Sequence, residues 1–475
     1  MLCDKLINYS CKFINLQSKN LIYFLMSKNV KLKRGLNINL LGEADKVYAS
    51  VKRHQLFALK PTEFHNLIPK LSVKVGDKVN AGSVVFFNKH NDKVNFCSPV
   101  SGEVTDIVRG DKRRILEVLI KSDEEIKYES FPVKKSNELS REQIIEHMLS
   151  GGVWPFLRQK PYDIIANPLD MPKSIFISAF KSSPLAIDND FALYGMDELF
   201  QIGLDFISKL TNGMMHLNLD GNTNSSKVFT QAKGVEINKF SGPHPAGNVG
   251  VQVHHLDPIN KGDIIWYLEP QDVIAIARLF SQGRYDVSRI IALCGSQVNK
   301  PRYYRTIAGT AISNFIYDNV NGENNRIICG DVLSGTKIDN DGYLGFYDTQ
   351  ITIIKEGNQQ EFLGWILPGL NKFSLSKSYF SWLFPTKKYD IDTNMRGEER
   401  AYVVTGQYEK VLPMDIYPQQ LIKAIMIEDI DLMENLGLYE VAPEDMALCE
   451  FVCTSKIEVQ AIIRYGLDLL RKENL

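Results

Sequence analysis

The chain is 475 residues long, with 55 Lys and Arg against 56 Asp and Glu and a formal charge of -1. At 44% hydrophobic and 23% charged residues, it has the composition of an ordinary globular protein of about three domains, which excludes wholesale disorder and fibrous repeats. The even charge balance excludes the broad positive field that drives sequence-independent phosphate binding, so nucleic acid is not an expected partner.

The N-terminal stretch MLCDKLINYSCKFINLQSKNLIYFL has no period. Its longest apolar run, Leu21 to Leu25, is too short for a signal-peptide core. A more regular segment, MSKNVKLKRGLNINLLGEA, opens at Met26. Translation is expected to begin there, with residues 1–25 a mis-assigned extension. No run of about 18 apolar residues follows, so no transmembrane helix is expected. Seven cysteines thinly spread along the chain argue for a reducing compartment and against a disulfide framework.

Within 26–125, short β-branched runs at 73–75, 84–87, 94–97, 103–108 and 115–120 are punctuated by Gly76-Asp77, Gly82, Ser98-Pro99 and Gly102. That spacing predicts a small all-β unit. Its VKVGDKVNAG and SPVSG segments resemble the barrel-sandwich hybrid of biotinyl and lipoyl carriers. The hairpin tip is expected near Asn88 to Lys93. Lys93 is displaced by two positions from the carriers' modified lysine, so an unmodified, solvated turn is expected.

Across 126–258, apolar runs at 164–166, 175–179, 214–219 and 235–237 alternate with a helical stretch, 195–210. This predicts a Rossmann-like α/β layer with a parallel sheet. No GxGxxG or Walker pattern follows any of the runs, so no backbone cradle for a dinucleotide is expected. SGPHPAGNVGVQVHHLDP, 241 to 258, holds His244, His254 and His255. These are expected to be hydrogen-bonded residues of a structured loop. No metal is expected, because no Cys or carboxylate arrives at ligand spacing.

From 259 to 375, RIIALCGSQVNKPRYYRTIAGTAISNFI reads as strand, turn, strand and helix start, and resembles the SLBB type of β-grasp module. A β-rich extension with glycines at 330, 335, 342, 345, 364 and 369 follows. The last unit, 376–475, is helical by pattern. It holds Cys449 and Cys453 at i, i+4, too few for an iron–sulfur cluster and read as buried small hydrophobes. The fold class is thus multidomain α+β: carrier-like hybrid, α/β layer, SLBB module and helical domain.

This order, with GLNI and LLGEA, GGVWPFLRQKPY at 151–162, GPHPAG at 242–247, QDVIAIARLF at 271–280, GSQVNKPRYYRT at 295–306, FLGWILPGLNKFS at 362–374, GEERAYVVTGQYEKVLPMDIYP at 397–418 and EDMALCEFVC at 444–453, resembles the NqrA family, the A subunits of the Na+-translocating NADH:quinone reductases. The architecture is also similar to the flavin-carrying subunit of respiratory complex I and the C subunit of the Rnf complex. Where those relatives hold FMN against a glycine-rich loop, this chain has Gly151-Gly152-Val153-Trp154-Pro155-Phe156, whose side chains oppose close approach of a flavin.

The resemblance implies a peripheral protein at the cytoplasmic face of the bacterial inner membrane, held there through partners only. Its complex transfers electrons from NADH to a quinone, coupled to Na+ export. NADH, FAD and the 2Fe-2S cluster would belong to the F subunit, covalent FMN to the B and C subunits, and riboflavin elsewhere in the complex. This chain would carry no redox centre, metal or catalytic residue. The B to F subunits would be partners, B and C in direct contact. The quinone-proximal segments implied are Trp154 to Tyr162, with Trp154, Arg158, Pro161 and Tyr162, and Lys60-Pro61-Thr62. A competing expectation is a docking scaffold that never touches quinone.

Overall fold

The structure is a computed structural model that describes residues 27–50, 55–358, 362–363 and 369–474. The expected extension 1–25 and start at Met26, Gly364, and part of the FLGWILPGLNKFS stretch lie outside the described residues.

The fold is organised around a seven-stranded sheet. From edge to edge it runs Asn29–Lys31, Glu236–Ser241, Met214–Asp220, Ser174–Ser178, Ile265–Leu268, Arg158–Lys160 and Ile164–Ile165. The first five strands are parallel, and the last two form an antiparallel edge. The strand Ser174–Ser178 is buried at every position, as parallel strands covered on both faces are.

Side chains alternate between faces. Ile175, Ile177, Leu217, Trp266 and Leu268 join one core with the barrel-sandwich unit and the helix Arg141–Ser150. Phe176, Phe240, Ile265 and Tyr267 join a second core with the C-terminal helices. The sheet is therefore the middle layer, with a different unit packed on each face.

The helices Asp197–Ile207 and Pro270–Gln282 pack closely because Gly203 lies against the Val273 backbone, where a Cβ would intrude. Phe206 and Phe280 stack beside that contact. The second helix starts at a Glu269–Asp272 capping box followed by Pro270 and stops at Gly283 with φ 65°, a left-handed position suited to glycine.

The barrel-sandwich hybrid, the α/β layer and the SLBB-type module are present, but their borders differ from those expected. The α/β sheet continues past residue 258, because Ile265–Leu268 pairs with Ser174–Ser178 and the helix Pro270–Gln282 covers it. Residues 29–31 and 45–49, expected in the first domain, are edge strands of the α/β sheet and of the SLBB-type sheet. That SLBB-type sheet is six-stranded and includes Ser288–Cys294 and Arg302–Ile307.

Other local expectations also change. Residues 73–75 form a turn approach instead of a strand, since the Lys74 amide donates to the Asp77 carboxylate at 2.8 Å and local side-chain bonding competes with a ladder. Lys93 lies on the strand Asn91–Cys97, with Lys89 and His90 at the hairpin tip. The 164–166 run supplies an antiparallel edge strand, Ile164–Ile165. His254 and His255 sit on a helix, Val249–Leu256, where neighbours turn by about 100°. In the C-terminal unit α-helix begins at Tyr408–Val411. Cys449 and Cys453 are both buried in the second core, but Cys453 lies beyond the helix Ala447–Phe451.

Candidate functional site

In an open parallel sheet, ligands bind outside the carboxyl ends of the strands, where successive connections leave in opposite directions. Here the chain passes from Ser174–Ser178 through Met214–Asp220 to Glu236–Ser241 on one side, then crosses to Ile265–Leu268 on the other. The switch point lies between Ser174–Ser178 and Ile265–Leu268, and a cleft opens there.

Lys181 and Ser182, just past the first of these strands, line it together with Glu269, His244, Asp331 and Glu444. The α/β layer, a loop of the SLBB-type sheet and the C-terminal unit thus each form a wall. The two strand ends are tied across the switch by Lys181 and Glu269 at 2.7 Å.

His244 is placed by the GPHPAG segment. Its backbone N–H donates to Asn37 Oδ1 at 2.9 Å, and its Nδ1 lies 3.1 Å from the Ser182 hydroxyl. Gly247 is required because a Cβ there would press on the Ser182 backbone. Below the cleft a buried polar chain runs from Asn238 to Asn218 at 3.1 Å, to Gln252 at 2.8 Å and to Ser178 at 2.9 Å. Burial pushes His244 below the ordinary histidine range. The other two histidines are hydrogen-bonded as well, His254 to Glu440 and His255 to the Pro413 carbonyl at 2.8 Å.

Behind Glu269 stands Arg158, 3.5 Å away. Its guanidinium is held between the Tyr267 and Tyr347 rings at 4.5 and 4.8 Å, an arrangement worth more than the charge pair alone once water is excluded. Two residues on, Lys160 is fully buried and pairs with buried Asp445 at 3.2 Å. Burial alone would lower Lys160, but Asp445, Asp163 and Glu444 outweigh it and hold the ammonium above its usual range.

Glu444 is the group poised to titrate. Burial first, then the neighbouring Asp445 and Asp163, push its carboxyl up to about 7, against the pull of Arg158 and Lys160. In the unfolded chain it titrates near 4.5. Between these values the folded protein holds a proton that the unfolded chain has released, so stability falls as pH rises from about 4.5 to 7. Asp272 and Asp348, each pushed up to about 6 chiefly by burial, act in the same sense. His216, lowered to about 4 by burial, opposes them. Glu444→Gln is therefore expected to remove part of the decline. Denaturant midpoints of both proteins across about pH 4.5–8 check it, and parallel profiles would reject the assignment.

The residues expected near quinone divide. Trp154, Pro155 and Phe156 are buried. The Trp154 indole N–H donates to the Ala166 carbonyl at 2.7 Å, and its ring meets Trp266 edge-on at 5.5 Å. Implied as quinone-proximal, this ring is instead packed against protein. Pro161 is buried after a cis peptide bond, and Tyr162 meets Tyr439 edge-on at 6.4 Å.

Lys60 pairs with Glu63 at 2.6 Å and donates to the Tyr343 carbonyl at 3.0 Å, with Pro61 buried and Thr62 exposed. The two candidate segments are joined by an aromatic cluster. Phe64, just past Lys60-Pro61-Thr62, meets Phe346 at 5.1 Å, and Phe346 stacks on Phe156 at 4.8 Å.

Lys160, Glu444 and Asp445 fall within quoted family motifs without being singled out there, whereas Lys181, Glu269, Tyr267 and Tyr347 lie outside them. Of those outside the motifs, Glu269 carries a local signal, the E-P-Q-D capping box at 269–272.

Family profiles match three stretches: the NqrA N-terminal barrel-sandwich hybrid domain at 30–123, the NqrA second alpha/beta domain at 139–285, and the NQRA C-terminal domain at 290–340. The A subunit of the Na(+)-translocating NADH-quinone reductase of Pasteurella multocida is 37% identical over 447 residues, covering 94% of this chain and all of that one. The corresponding Yersinia pestis protein, from the Antiqua biovar, is 37% identical over 448 residues, and that of Pseudomonas aeruginosa 36% over 447, with the same coverage. Among solved structures, an air-oxidised NAD+-reducing [NiFe]-hydrogenase overlaps 39% of this chain and 41% of its own, at 14% identity and TM-score 0.31.

Proposed function

The chain belongs to the NqrA family, the A subunits of the Na(+)-translocating NADH-quinone reductase, and from that premise we propose that it serves its complex by binding and positioning the quinone at the switch-point cleft. The complex transfers electrons from NADH to quinone and exports Na+. The B to F subunits are the partners, with B and C in contact, and the chain lies at the cytoplasmic face of the membrane. The electron carriers, FAD, FMN, riboflavin and 2Fe-2S, belong to those other subunits.

The observation that carries this reading is the cleft, with Lys181 and Glu444 in its walls and Arg158 behind Glu269. A quinone presents two carbonyl acceptors and gains negative charge and then protons on reduction. Lys181 can donate to a carbonyl, Arg158 adds positive charge behind the wall, and a carboxyl titrating near 7 can hold a proton at working pH.

Arg158→Leu in the assembled complex is expected to raise the quinone KM about tenfold or more, while Glu269 keeps Lys181 as its partner. Lys181→Met should do the same. Unchanged KM and turnover in both would reject the site.

A second reading, a docking scaffold, draws on the buried Lys160–Asp445 pair that locks the α/β layer to the C-terminal unit. The isolated chain separates the two. Quinone binding predicts saturable quenching of its tryptophan fluorescence, whereas a scaffold predicts none.

A further inference from the structure

One surface segment inverts the usual rule of burial. In the short 3-10 turn Phe380–Leu383, the one buried residue is Ser381. Its hydroxyl accepts from the Ser374 amide and donates to the Ser374 carbonyl, both at 3.3 Å. The Tyr379 amide donates to the Ser374 hydroxyl at 3.2 Å. The turn is pinned by its serines, and its apolar residues face water. Phe380, Trp382, Leu383 and Phe384 are 42%, 51%, 51% and 48% exposed.

Lys387 extends the patch by bonding the Leu370 carbonyl at 2.8 Å, and Leu370 is 60% exposed. The segment is mounted on the body of the protein through Phe373, whose ring meets Tyr389 at 5.6 Å and Phe451 at 6.2 Å.

Charge identifies the occupant. Between Glu361 and Asp390, the latter paired with Lys355, the sequence contains four lysines, 372, 377, 387 and 388, and no acid. Lys377 lies over the Trp382 ring at 5.7 Å, its stem along apolar surface and its ammonium outward. Among the described residues, Glu43 pairs with Lys388 at 3.0 Å. Exposed Trp and Phe ringed by lysines match a bilayer's interfacial zone, where aromatic rings sit at headgroup level and lysines meet anionic lipid.

We infer that Leu370 and the turn Phe380–Phe384, with Lys377, Lys387 and Lys388, form a contact with the surface of an anionic membrane. The chain then touches lipid directly, in addition to any hold through partner subunits. The proposal leans on the family reading only for a membrane within reach. Its test uses this chain alone, so its failure leaves the quinone reading standing.

The purified full chain is expected to co-sediment with vesicles of phosphatidylethanolamine and phosphatidylglycerol, and to do so roughly tenfold less with phosphatidylcholine alone or in about 0.5 M salt. Trp382→Ser with Phe384→Ser should weaken binding roughly tenfold, as should Lys377→Gln with Lys388→Gln. The lysine pair is exposed and carries the test should the serine pair fail to fold. Absence of co-sedimentation, binding indifferent to folded variants, or binding only to vesicles that carry the membrane subunits would overturn the inference.

Discussion

Asp445→Ala is expected to destabilise the protein by about 3–5 kcal/mol, the usual cost of leaving one member of a buried ion pair uncompensated. Lys160 and Asp445 are 1% and 0% exposed in their side chains and lie 3.2 Å apart, so the orphaned ammonium would have no water to turn to. The carboxylate also accepts from the Ala442 amide at 3.0 Å, which fixes the entry to the segment carrying Glu444. Gly250, on the helix Val249–Leu256, faces the pair closely enough that a Cβ would collide with the Asp445 carboxylate. The double replacement Lys160→Met with Asp445→Leu removes both charges and is expected to recover most of the loss. Urea unfolding of wild type, single and double variants measures this. A double variant no more stable than the single would show that the charge pair is not the source of the cost.

Trp154→Ala is expected to cost about 3–5 kcal/mol through the cavity left by a large buried ring, with the Ala166 carbonyl losing its 2.7 Å donor as well. This substitution also decides between two roles. If Trp154 is a packing residue, Trp154→Phe loses less stability and leaves the quinone KM of the assembled complex near wild type. If the ring stacks on quinone, KM rises while stability follows the same course. The indole's burial against Trp266 favours packing.

The layers are legible in the sequence because their periods are local. The β-branched runs at 94–97 and 103–108 and the 3- and 4-residue spacing of Leu199, Ile202, Phe206, Ile207 and Leu210 mark strands and a helix locally, although that helix buries Phe200 and Leu204 more deeply than Leu199 and Ile202. Borders and sites are less legible because they depend on partners distant in the chain. Nothing near Ile265–Leu268 says that it pairs with Ser174–Ser178, and without that pairing the switch point, and with it Lys181 and Glu269, has no address. Family likeness points to Arg158, but its two tyrosine neighbours come from residues 267 and 347. Whether Trp154 is quinone-proximal or packed is not legible because a short W-P-F run looks the same buried or exposed. The patch at 380–384 is hidden for the opposite reason: an apolar run beside Lys reads as packing until the serines are seen to be its buried side.

The strand Asn29–Lys31 has a consequence for the order of folding. Its partner, Glu236–Ser241, lies some 210 positions later, and Asp45–Ala49 waits for Arg302–Ile307. At about 5–20 residues per second, the earliest-made strand leaves the ribosome roughly 10–40 s before its partner exists. The barrel-sandwich unit can close in the meantime, since its strands pair among themselves. The α/β sheet must then recruit an edge from across an already folded neighbour, a non-local step of the slow kind. A chain arrested midway in synthesis would present residues 29–31 and 45–49 as unpaired edges, the places where a holdase or a second nascent chain would first take hold.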